Sequence, residues 1–144
     1  MDRPETLGYL YPQLRRTEVM AALFAGGYGL FALYQQSAFG IPPLDWSGLS
    51  VADRSAMAYV LTVASVAHGI GIRVNGNWGR VSPSLRLITM AVFAAIFARL
   101  AAVAPGNIAY NHTWIAAGMA LGAVNALLDT IDAWQGKEPR WRSH

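Results

Sequence analysis

Four stretches of the chain run without charge long enough to predict elements: Val19 to Ile41, Ala56 to Ile72, Leu87 to Val103 with Arg99 inside it, and Ile108 to Leu128. Read as helices, runs of about 17 to 23 residues cover about 26 to 35 Å, against a hydrocarbon core of about 30 Å. The second and third are the shortest. A soluble helix keeps a charged face, and no face of the first, second or fourth run carries any charge, so these are read as membrane spans. The expected fold class is all-α: a polytopic integral membrane protein built as a four-helix transmembrane bundle.

The punctuation between the runs agrees. Pro42 and Pro43 cannot continue the first helix, and Ser50 with Asp53 offers a capping pair for the second. Ser82 followed by Pro83 reads as the start of the third helix, Pro105 and Gly106 as its end, and Gly136 with Pro139 as the close of the fourth. The expected organisation is therefore an N-terminal segment at 1–18, a transmembrane domain at 19–131 and a basic tail at 132–144. Asp2, Glu5 and Glu18 ahead of a long apolar run argue against a cleaved signal peptide.

Composition sharpens this picture. Charged residues are 13% of 144 and apolar residues 54%, about half the charge a soluble domain carries. The net charge of +3 does not point to nucleic acid, because the basic residues sit in short clusters beside the apolar runs. Arg3, Arg15, Arg16, Arg73, Arg80, Arg86, Lys137, Arg140 and Arg142 all fall on one side of the predicted spans, and only Arg54 lies in an opposite flank. By the positive-inside rule both termini are expected in the cytoplasm, and the expected location is a bacterial inner membrane. Trp46, Tyr110 and Trp114 would then mark the outer interface, and Tyr9, Tyr11, Trp78 and Trp134 the inner one.

The spans carry rows of small residues at four-residue spacing: Ala22 and Gly26; Ala25 and Gly29; Ala94, Ala98 and Ala102; Gly118, Gly122 and Ala126. Close backbone approach along such rows supplies much of the association between helices in lipid, where no hydrophobic drive remains. Gly26, Gly29, Gly118 and Gly122 are the candidate packing positions, either inside one bundle or as an outward seam for self-association.

On the fourth span Gly118, Gly122, Asn125, Asp129 and Asp132 share one face. His68 lies about 7.5 Å from the Arg73 end of the second span, and Asn125 about 10.5 Å from Asp132. Matching depths make His68, Asn125 and Asp129 a candidate intramembrane polar cluster, either a structural hydrogen bond or a proton relay. Arg99, four residues from the far end of the third span, either snorkels to the headgroups or meets Gln35 and Gln36 in an outer polar layer.

Catalytic and metal chemistry are not expected. The chain has no Cys, and no nucleophile, base and electrophile can be assembled into a constellation. His68 and His112 fall at opposite membrane faces, so one subunit cannot supply both axial ligands to one haem. Asn111 to Thr113 spells a glycosylation triplet, but it lies against the membrane.

The segment His68 to Arg86, HGIGIRVNGNWGRVSPSLR, resembles connections in small membrane proteins of tailed phages and prophages. Asn75, Gly76, Ser82, Pro83, Leu85 and Arg86 carry the likeness, while Asn77 and Trp78 stand in place of the usual basic pair. Some such proteins are labelled holins, so the resemblance implies a small protein acting by helix association. His68, Gly71 and Arg73 are also similar to the haem-bearing anchor of succinate dehydrogenase, whose further Arg–His pair is absent here. The expectation is a non-enzymatic bundle without cofactor, holin-like or an accessory subunit, whose partners are the lipid bilayer and either copies of itself or other membrane proteins. The alternative is an oligomeric small transporter or channel.

Overall fold

The computed structural model describes residues 6–40, 47–74 and 80–137, with side chains of the first helix described from Arg16 onward. Pro42, Pro43, Trp46, the segment 75–79, Pro139, Arg140, Arg142 and Arg3 lie outside the described residues, as do the side chains of Tyr9, Tyr11 and Arg15. Four helices make up the fold: α1 (Thr6–Phe39), α2 (Val51–Arg73), α3 (Val81–Val103) and α4 (Gly106–Trp134). All four are long and apolar enough to cross a membrane.

Each helix outruns the apolar stretch that predicted it, because a charge ends a hydrophobic run without ending a helix. Residues 6–18 of the expected N-terminal segment form the first turns of α1, and α3 begins before Arg86 rather than after it. Gly40 and Gly136, at φ of 65° and 69°, stop α1 and α4 in the left-handed conformation that glycine adopts without strain. Ser50 caps α2 as expected: its Oγ accepts from Asp53 N at 3.1 Å and donates to Asp53 Oδ2 at 2.8 Å. Ser82 does not cap α3. Its hydroxyl lies inside the first turn and donates to Gly71 O of α2 at 2.7 Å.

The helices run alternately up and down, each packed on its sequence neighbour, and α4 closes the ring on α1 through the thinnest of the four pairings. The core is Ala22 and Ala25 of α1, Leu61 and Ala64 of α2, Met90, Phe93, Phe97 and Leu100 of α3, and Met119 of α4. Between 22% and 33% of the most apolar stretch of each helix is buried, and the remainder is half-buried or exposed. That outward surface carries Leu23, Leu30, Phe31, Val63, Val66, Ile88, Leu121 and Val124, while Glu18, His68, Arg86 and Asn125 are turned in. Charge inside and large apolar groups outside is the arrangement a bilayer demands and water penalises. The chain is an all-α four-helix bundle and a multi-pass membrane protein.

Small residues set the helix contacts, though not all those expected to. A Cβ on Gly26 would meet Ser65 at 2.9 Å, and one on Gly29 would meet Thr62 Oγ1 at 2.6 Å and Ala58 O at 2.7 Å, so both glycines let α1 lie against α2. A Cβ on Gly122 would collide with the end of Met90 of α3. Gly118 has open space where its Cβ would be, so the expected Gly118–Gly122 seam packs at Gly122 alone. These glycine contacts lie within one bundle. The outward small row is on α3 instead.

Candidate functional site

The polar centre of the bundle lies toward the end that carries both termini, and every helix contributes to it. Glu18 stands in α1 at the start of its apolar stretch, His68 in the last turns of α2, Arg86 and Thr89 in the early turns of α3, and Asn125 and Asp129 in the later turns of α4. The antiparallel order brings these six to one depth.

The Glu18 carboxylate is the hub. Arg86 Nε donates to Glu18 Oε2 at 2.8 Å, and its Nη2 donates to Oε1 at 2.8 Å, the two-pronged geometry that a guanidinium offers a carboxylate. Asn125 Nδ2 donates to Oε1 at 2.7 Å. Arg86 Nη2 also stands 3.1 Å from Asp129 Oδ2, so one guanidinium serves two carboxylates. Glu18 is fully buried and Arg86 is 1% exposed. Single charges at this depth are costly, and this one is tolerable because its partners arrive from two other helices.

His68 joins the hub at its edge. Nδ1 lies 2.6 Å from Thr89 Oγ1, and Nε2 lies 3.8 Å from Glu18 Oε2 with no hydrogen-bond partner among the described residues. The ring leans on Phe93, centroid to centroid 6.0 Å. Gly71 is what lets Arg86 pass: a Cβ there would stand 3.1 Å from Arg86 Cγ.

The expected cluster of His68, Asn125 and Asp129 is brought to one place, and its members are joined through Glu18 and Arg86 rather than to one another. Neither hub residue was expected in the site. In the sequence both read as flank charges because each sits at the edge of an apolar run, and Arg86 counts toward the positive side. Removing it from that count leaves the basic excess on the same side. The signal that could have found the pair is two opposite charges at matching depth on helices that continue past them. Between His68 and Arg86, Ser82 bonds Gly71 and Arg86 bonds Glu18.

The expected outer layer of Arg99, Gln35 and Gln36 takes a different form. Arg99 is exposed, while Gln36 Oε1 accepts from Ser55 Oγ of α2 at 3.3 Å. Gln35 is half-buried. The far half of the bundle is instead tied by His112, whose Nε2 lies 3.2 Å from Tyr28 Oη and whose ring stacks on Phe97 at 5.7 Å. The thin α1–α4 pairing is thus bridged twice by polar groups, at Asn125–Glu18 and at Tyr28–His112.

Large residues recur on the outward faces of α1, α2 and α4, with Ala117 and Ala120 exposed between those of α4, whereas α3 carries an outward row of four alanines. Ala91, Ala95, Ala98 and Ala102, spaced by 4, 3 and 4 residues, are all exposed and share one face, with Arg99 at its edge. Ala94 of the expected row is half-buried. Among the described residues no group of three or more His, Asp or Glu is placed to hold a metal ion. Comparison with protein-family models, with curated proteins and with solved structures finds no match for the chain.

Proposed function

We propose that this protein works by lateral association within a membrane, as an accessory or assembly subunit that receives a transmembrane helix of a partner on α3. The observation that carries this reading is the outward alanine face of Ala91, Ala95, Ala98 and Ala102. Four methyl-sized side chains over about 16 Å of helix let a second backbone come close, which is the main source of helix affinity in lipid. Arg99 at the edge of that face supplies donors for a partner's carboxylate or carbonyl near the end away from the termini.

Holin-like lesion formation is the less supported form of the same idea. A water-filled lesion needs polar groups on a face that can line it, and here Glu18, Arg86, His68 and Asn125 are bound to one another inside the bundle. The excess of Lys and Arg on the termini side supports an orientation with both ends in the cytoplasm.

Ala95→Leu with Ala98→Leu tests the reading. On native gels of solubilised membranes the natural chain should run within a larger assembly, the doubly substituted chain should keep its fold and drop out of it, and expression should leave the membrane potential intact. Assembly unchanged by the substitutions, or depolarisation on expression of the natural chain, would overturn it.

A further inference from the structure

The buried hub holds a second feature that lateral association does not use: two acceptors that face each other with nothing donated between them. Thr89 Oγ1 stands 2.9 Å from Leu85 O and 3.0 Å from Arg86 O. Backbone carbonyls only accept, so the single hydroxyl proton of Thr89 is committed to them. Toward His68 Nδ1, at 2.6 Å, Thr89 Oγ1 is therefore the acceptor, and Nδ1 carries the ring proton. A neutral imidazole protonated on Nδ1 has a bare lone pair on Nε2. That lone pair looks at Glu18 Oε2 across 3.8 Å, with both side chains fully buried. The separation is too long for a hydrogen bond and shorter than the roughly 4.5 Å that two bonds through one water need.

We propose that His68 Nε2 and Glu18 Oε2 form an intramembrane proton-binding site. The ligand is a proton from water. It adds to the Nε2 lone pair, the neutral ring becomes imidazolium, and the new N–H closes onto the carboxylate. No other bond breaks and nothing is oxidised or reduced.

Glu18 remains the anion of the pair because its oxygens accept three bonds from the Arg86 guanidinium and the Asn125 amide. The groups that face the imidazole are Glu18 from α1, Arg86, Thr89 and Phe93 from α3, and, through the hub, Asn125 and Asp129 from α4. Arg86 opposes a positive ring, whereas Glu18 and Asp129 favour it. Proton uptake draws α2 onto α1 at His68 and competes with Arg86 for Glu18, shifting the guanidinium toward Asp129. The site thus lies where groups from all four helices meet. It stands independently of the docking face on α3, because no residue is shared between them.

The test is nitrogen NMR on the full chain, labelled at histidine and held in lipid nanodiscs, with His68 assigned by comparison with His68→Asn. In alkaline solution the ring should show a protonated Nδ1 and a bare Nε2, and on acidification Nε2 should gain a proton. Glu18→Gln should weaken that proton binding at least tenfold by removing the facing anion. Thr89→Val, which keeps every charge, should flip the neutral ring to the Nε2–H form by removing the acceptor at Nδ1. A wild-type ring that carries its proton on Nε2 in alkaline solution would overturn the proposal without need of any variant. So would a titration that Glu18→Gln leaves unchanged.

Discussion

Deleting one side of the Glu18–Arg86 pair separates a structural hub from an incidental ion pair. Glu18→Leu removes the acceptor of three short bonds and leaves Arg86 with Asp129 at 3.1 Å. Arg86→Leu is the harsher change, since it leaves two carboxylates, Glu18 and Asp129, without the guanidinium between them. Breaking a buried pair from one side costs about 3 to 5 kcal/mol, so Glu18→Leu is placed at the lower end and Arg86→Leu at the upper. Replacing both at once removes the Glu18–Arg86 pair and leaves Asp129 alone to lose the guanidinium, one buried carboxylate fewer than in Arg86→Leu. The double variant should therefore be more stable than Arg86→Leu alone, with a coupling of at least about 2 kcal/mol between the sites. Reversible unfolding in mixed micelles, followed by tryptophan fluorescence across the four chains, measures all the terms. Single losses below about 1 kcal/mol that simply add would refute the hub, because residues in direct contact should not behave as independent sites.

The glycines give a graded series: Gly29→Ala, aimed at the Ala58 carbonyl, should destabilise the bundle most, Gly122→Ala less because the flexible end of Met90 can move, and Gly118→Ala least of all. Thermal unfolding in nanodiscs checks the order, and a large loss at Gly118 would contradict the packing. Cysteines introduced singly at Ser50 or Asn107 should react with an impermeant thiol reagent on intact cells, and one at Gln135 should not. Reaction of Gln135→Cys from outside would refute the proposed orientation.

Hydropathy made the number of helices and their rough positions legible, because an uncharged run of span length has few other uses. Cap chemistry was readable where a side chain serves its own helix, as at Ser50. Ser82 and Pro83 marked the start of α3 to within one residue, but the Ser82 hydroxyl bonds a neighbouring helix rather than its own, and only the packed structure shows the carbonyl it serves. The same reason governs the site. His68 and Asn125 stood out because they interrupt apolar runs, and Asp129 because it continues the face of Gly118, Gly122 and Asn125, whereas Glu18 and Arg86 lie at run edges with no such row to single them out. Whether such a charge is flank or core depends on an opposite charge on another helix at equal depth, and a one-dimensional window does not contain that information. The glycine rows were visible as rows, but the sequence could not say which face of each helix looks inward. That left the α3 alanines to be found by exposure.

The claim on which the rest depends is that the bundle is inside-out: charges within and an apolar surface facing lipid. Single nitroxide labels, attached to cysteines placed one at a time in a chain that has none of its own, test it directly. In bilayers, labels at Val63, Ala95 and Val124 should be relaxed strongly by oxygen and weakly by a water-soluble nickel chelate, and labels at Ala25 and Ala64 should be shielded from both. Strong relaxation by the chelate at Val63, Ala95 and Val124 would contradict the account, since it would place in water the very surface that the fold gives to lipid.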